Sequence, residues 1–193
     1  MLIHLIGPGG AGKTTTARLL KKEFGFQYHD LDEIFMIQEG NISHFINVYG
    51  YRQYAIRNLE IYTQLSQSLS LSDMRIIVCS SGFMCYPDDI SKDYLRIKKQ
   101  IENHDFTFLL LPSLNLETCV NEIVNRQVQR SYLNLSKEKE TQKIRKRFPV
   151  YTDLKCKIIF THQDEDNVAL EIYSQLSEFI SLKSEVSSIN ETD

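Results

Sequence analysis

Lys13 and Thr14 end the run Gly7-Pro-Gly-Gly-Ala-Gly12-Lys13-Thr14, which has the spacing G-x-x-x-x-G-K-[ST] between an apolar strand and a helical segment. Glycines at this spacing let consecutive backbone N–H groups turn inward and admit phosphate oxygens at contact distance. The helix that follows directs its positive dipole end at the same oxygens. Gly9, Gly10, Ala11, Gly12, Lys13, Thr14 and Thr15 are therefore expected to hold the phosphates of ATP. Lys13 would bridge the β- and γ-phosphates and the Thr14 hydroxyl would ligate Mg²⁺. The bland alternative is a glycine-rich turn that binds nothing.

A second group of residues sits at His29-Asp30-Leu31-Asp32-Glu33, right after the second expected strand. Ligands of open α/β sheets bind at that edge. Two acids at i, i+2 can divide labour there, Asp30 toward Mg²⁺ and Asp32 toward a substrate hydroxyl. The bland alternative is a helix N-cap with acids complementing the dipole, although capping does not require both acids. Other phosphate-cradle classes fit less well. The chain has no N-K-x-D to read guanine. The strands Arg75–Cys79 and Phe106–Leu111 end in Ser80-Ser81-Gly82 and Pro112-Ser113 rather than in the carboxylate pair of a motor ATPase.

Elements that position these residues follow from the apolar pattern. Strands are predicted at Leu2–Ile6, Phe26–His29, Arg75–Cys79, Phe106–Leu111 and Lys157–Thr161. Helices are predicted at Lys13–Glu23, Leu31–Gln38, Ile42–Ser70 with a break at Gly50, Asp88–Glu102, Leu116–Arg126, Lys137–Arg147 and Glu165–Leu182. This alternation is that of an α/β fold, a five-stranded parallel sheet with helices on both faces. The runs at 76–78 and 108–111 are apolar throughout, as suits strands covered on both sides. Residues 1–180 are read as one domain, and the polar residues 181–193 as a disordered tail. The 193 residues carry 42% hydrophobic and 24% charged side chains and a net charge of −3, so no global positive field is offered to nucleic acid or anionic lipid. There is no signal-peptide pattern and no apolar stretch of membrane-spanning length. The four cysteines show neither disulfide need nor metal-ligand spacing, consistent with a cytoplasmic chain, and a monomer is the default expectation.

From residue 2 to about residue 180 the order of motifs resembles the shikimate kinase family of P-loop kinases. That family has a P-loop, then D-x-D, F-R-x-x-E, a glycine triplet, R-P-L-L on a lid, and R-x-P-x-Y. The chain has Asp30-Leu-Asp32, Ile56-Arg57-Asn-Leu-Glu60, Ser80-Ser81-Gly82, Arg130-Ser-Tyr-Leu133 and Arg147-Phe-Pro149-Val-Tyr151 in that order. The resemblance implies a three-layer P-loop kinase fold with a mobile lid at about 127–137. It also implies phosphoryl transfer from ATP to a hydroxyl of a small carboxylated polyol, shikimate first. Asp30 would hold Mg²⁺ through water, and Asp32 would orient the acceptor hydroxyl. Arg57 and Arg147 would clamp the acceptor carboxylate, with the Gly82 backbone beside them. Arg130 would close over the phosphates. Arg126 is a candidate adenine contact, and 161–164 the adenine loop. Taken alone, arginines in helical segments are usually solvated face residues.

Departures from the family pattern cluster around the acceptor and the lid. The stretch from Gly50 to Arg57 is two residues longer than usual, so Arg52 competes with Arg57 for one role. Met36 stands in place of a supporting glutamate, Ser80 and Ser81 in place of two glycines, and Ser131 in place of the lid proline. A related kinase acting on a gluconate-like acid or a nucleoside monophosphate, and a nucleotide-binding domain without an acceptor, are the alternatives.

Overall fold

The computed structural model describes residues 1–67, 74–128 and 136–190. Five strands form one wholly parallel sheet in the order β2-β3-β1-β4-β5: β1 (Leu2–Ile6), β2 (Gln27–Asp30), β3 (Arg75–Val78), β4 (Thr107–Leu111) and β5 (Lys157–Phe160). Crossover helices cover both faces: α1 (Lys13–Phe24), α2 (Leu31–Glu39), α3 (Ile42–Gln67), α4 (Tyr94–Glu102), α5 (Leu116–Val128), α6 (Lys137–Thr152) and α7 (Glu165–Asn190). This is the three-layer arrangement of the P-loop kinase fold. Side chains alternate between two cores. Ile76, Val78, Phe108 and Leu110 face the α1–α7 layer, while Ile77, Cys79, Leu109 and Leu111 face the opposite layer. Burial on both sides explains why β3 and β4 read as unbroken apolar runs. All four cysteines are free thiols. No helix among the described residues is long and apolar enough to cross a membrane.

The helix boundaries differ from expectation at α4, α6 and α7. The break at Gly50 is present: its φ of 85° and ψ of 158° interrupt α3, a conformation that disfavours any side chain. The predicted end of α3 at Ser70 lies outside the described residues. α4 begins at Tyr94 rather than Asp88, because residues 87–93 close instead into turns, with Asp93 N donating to Ser91 Oγ. α6 runs past Arg147 to Thr152 although Pro149 lies inside it. A proline costs about 3 kcal/mol in a helix interior. That cost is offset here by Ile144 and Tyr151, both buried, and by the bond from the Tyr151 hydroxyl to Ser81 O at 2.8 Å. α7 continues to Asn190, beyond the expected Leu182, and takes up most of the segment read as a polar tail.

Candidate active site

The carboxyl ends of β1, β2 and β3 lie side by side and deliver the P-loop, the two acids and Ser80–Gly82 to one edge of the sheet. The loop after β1 takes positive φ at Gly10 (81°) and Gly12 (94°). Gly12 is the N-cap of α1 and offers no side-chain cap, which leaves the first amides of the helix open to an anion. Lys13 is buried and its ammonium donates to Gly7 O at 2.8 Å and Pro8 O at 3.0 Å. Burial draws its pKa below the ordinary lysine value, opposed by Asp30 and Asp32.

Asp30 serves two readings at once. Its Oδ1 caps α2 by accepting from Asp32 N at 2.9 Å and Glu33 N at 3.4 Å. Its Oδ2 accepts from Thr14 Oγ1 at 2.6 Å. A hydroxyl and a carboxylate oxygen set side by side at the mouth of the phosphate loop are hard oxygen donors and fit Mg²⁺. Asp32 projects from the first turn of α2 and accepts a bond from Tyr54 Oη at 2.7 Å. Burial raises its pKa above the ordinary carboxylate value; the Tyr54 bond, Lys13 and Arg147 act in the opposite direction.

Of the arginines expected around an acceptor, Arg147 alone is brought to this cluster. Its Nη1 donates to Ser81 O at 3.0 Å and Ser81 Oγ at 3.2 Å, and its Nη2 to Tyr51 Oη at 3.0 Å, over Gly82. Arg57 is held elsewhere. It is bound by Glu39 and Glu60, and its Nη2 donates to Gln38 at 3.1 Å. Arg52 does not replace it: its guanidinium bonds the Asp89 carboxylate at 3.1 Å and the Asp89 carbonyl at 2.5 Å. The left-handed joint at Gly50 resets the helical phase, so both arginines turn toward neighbouring acids. Arg126 donates to Thr161 O at 2.5 Å and Thr161 Oγ1 at 3.2 Å, which ties the end of α5 to the loop 161–164. Arg130 and Ser131 lie outside the described residues, as does most of the expected lid. Met36 is half exposed and adds no polar group to the acids.

Four residues of the cluster escape a reading of motifs. Tyr51, Tyr54 and Tyr86 form one aromatic wall, with ring centroids 5.7 Å apart for Tyr51 and Tyr54 and 6.0 Å for Tyr51 and Tyr86. Tyr86 Oη lies 3.0 Å from Ser80 Oγ, so the serine that replaces a glycine is hydrogen-bonded into this wall. Gln127 is buried against the phosphate loop, where a Cβ on Gly9 would come within 2.7 Å of its Nε2 and one on Gly10 within 3.1 Å of its Cγ. Its Oε1 is buried without a partner. The tyrosines around Gly50 were the available signal, three of them within six residues (Tyr49, Tyr51, Tyr54) in a segment otherwise read for its arginines and its helix break.

The shikimate kinase family model matches residues 9–177. Shikimate kinases of Legionella pneumophila are 30% identical over 88 residues, which is 45% of this chain and 48% of theirs. The chain thus aligns with about half the length of the curated relatives it matches. A shikimate kinase from Acinetobacter baumannii, solved in complex with shikimate, superposes with a TM-score of 0.67 at 20% identity, covering 92% of this chain and 93% of that one. The shikimate kinase of Bacteroides thetaiotaomicron gives 0.64 at 16% identity, with 95% and 98% covered. A deoxyadenosine kinase from M. mycoides shares the fold at 0.58 and 17% identity, with 92% and 100% covered. With a family match over most of its length, the chain belongs to the shikimate kinase family.

Proposed function

We propose that the chain transfers the γ-phosphoryl group of ATP to a hydroxyl of a small carboxylated polyol, with shikimate as acceptor and ADP and shikimate 3-phosphate as products. One observation carries this reading: a half-buried aspartate oriented by Tyr54 and a guanidinium anchored on Ser81 flank the phosphate loop, all within one chain. Arg147 would bind the acceptor carboxylate, since its fork is fixed by Ser81 and Tyr51. Asp32 would hold the acceptor hydroxyl in line with the γ-phosphorus. A bond forms between that oxygen and phosphorus as the bond to the β–γ bridging oxygen breaks, and the hydroxyl proton passes late to Asp32. Lys13 would turn from the carbonyls of Gly7 and Pro8 to the phosphate oxygens, and Arg130 is assigned beside it. Mg²⁺, when bound, supplies further charge neutralisation at those oxygens, and Thr14 and Asp30 are the residues that would hold it. No second chain is required, so a monomer suffices.

A nucleoside monophosphate acceptor would need several free cations for its phosphate. The pairing of Arg52 and Arg57 with neighbouring acids weighs against it. The test is a coupled ADP-release assay with ATP and Mg²⁺ plus shikimate, gluconate, nucleoside monophosphates or no acceptor. Turnover is expected with shikimate. ADP release that no carboxylated polyol stimulates refutes the reading. Asp32→Asn should lower kcat by about 100-fold or more while leaving ATP affinity within about two-fold.

A further inference from the structure

We infer that Tyr51 is a specificity-determining residue that, together with Arg147, forms the seat for the acceptor's carboxylate in place of a second arginine. The inference rests on the kinase reading above. Tyr51 follows directly on the left-handed joint at Gly50, which turns its side chain to the sheet edge. Its Oη accepts from Arg147 Nη2 at 3.0 Å, and both atoms lie over the backbone of Gly82. A Cβ on Gly82 would collide with Tyr51 Oη and come within 2.9 Å of Arg147 Nη2, so a larger residue there would displace this pair. The phenol uses a lone pair toward Arg147, and among the described residues none accepts its proton. Arg147 likewise keeps Nε–H and one Nη2–H without a described acceptor, its other bonds going to Ser81 and Tyr51.

One phenolic O–H and one guanidinium N–H therefore stand next to each other, their donor atoms 3.0 Å apart, close enough for one carboxylate to accept from both. Burial holds the Tyr51 phenol above its ordinary pKa, so it remains a donor at neutral pH. Among the described residues the seat carries a single positive charge, because Arg57 is neutralised by Glu39 and Glu60 and Arg52 by Asp89. It suits a singly charged carboxylate better than a dianionic phosphate. The faces of Tyr51, Tyr54 and Tyr86 supply an apolar wall for the ring of the acceptor.

Tyr51→Phe removes the O–H and keeps the ring. With shikimate and ATP it should raise the acceptor KM about ten-fold, the loss expected for one hydrogen bond to a charged group, leaving the ATP KM within two-fold. With the carboxamide of shikimate the same substitution should cost less than three-fold. Tyr49→Phe, an exposed neighbour, is the control and should match wild type. An unchanged acceptor KM in Tyr51→Phe, an equal loss with acid and amide, or a larger loss in Arg57→Lys than in Tyr51→Phe overturns the inference while leaving the kinase reading standing. Wild-type protein that turns over no carboxylated polyol overturns both.

Discussion

Asp30→Asn and Asp30→Ala divide the two duties of one buried carboxylate. In the folded chain Oδ1 caps α2 through Asp32 N and Glu33 N, and Oδ2 receives the Thr14 hydroxyl at 2.6 Å. Asparagine caps a helix as well as aspartate, and its amide can still meet a hydroxyl, so Asp30→Asn should hold its Tm within about 1 °C. Alanine removes the cap, which costs about 1 kcal/mol, and at this chain length each kcal/mol lowers Tm by about 2–4 °C. Both variants lose the anionic oxygen assigned to Mg²⁺. Lewis-acid stabilisation is worth several kcal/mol, so both should lose about 100-fold or more in kcat and need more Mg²⁺ for half-saturation. Differential scanning fluorimetry and a coupled assay across a Mg²⁺ titration measure the two effects on the same preparations. An asparagine variant as unstable as the alanine one would refute the capping argument. A variant of either kind with wild-type kcat at low Mg²⁺ would refute the metal assignment.

Two further outcomes follow from other hydrogen bonds. Tyr54→Phe withdraws the donor that favours ionised Asp32, whose pKa burial already raises. The acid limb of kcat/KM should move to higher pH, and an unmoved limb in a pH series would count against Asp32 as the proton acceptor. His4 is buried between Tyr62 Oη at 3.0 Å and Thr107 Oγ1 at 3.2 Å, and burial pushes its pKa down to about 3. The unfolded chain therefore takes up this proton first as pH falls below about 6.5. The His4 contribution is complete above that pH and declines toward pH 3, with about 2 kcal/mol lost by pH 5. His4→Gln should flatten the Tm–pH curve between pH 7 and 5, and parallel curves would show the assignment to be wrong.

What the sequence makes legible is what backbone geometry alone dictates. The phosphate loop is readable because glycine spacing and the flanking strand and helix determine where its amides point, whatever surrounds them. Asp30 and Asp32 are readable because a strand's end and a helix's first turn locate them. Arg57 and Arg52 are not, because the direction of a side chain beyond Gly50 depends on a joint whose angles no periodicity encodes, and because a guanidinium settles on whichever acids are nearest. The tyrosines go unnoticed for another reason. Their rings contribute apolar area and read as core, while the hydroxyls that bond Asp32, Arg147 and Ser80 leave no mark on the pattern. The length of α6 was hidden by Pro149, since the local cost of a proline is visible in the sequence and the distant bond from Tyr151 to Ser81 is not.

The joint at Gly50 cuts a long rod into two pieces whose directions are set independently. The inner piece is anchored by Ala55, Leu59 and Ile61 in the core and carries Tyr51 and Tyr54 to Arg147 and Asp32, while the outer piece has little buried surface of its own. Mutations at the joint and just after it can thus reshape the surface made by Tyr51 and Tyr54 while the phosphate loop, built on β1 and α1, keeps its shape. On the proposed kinase reading, such modularity gives this scaffold a route to other acceptors through changes of a few neighbouring positions, with the phosphate loop left as it is.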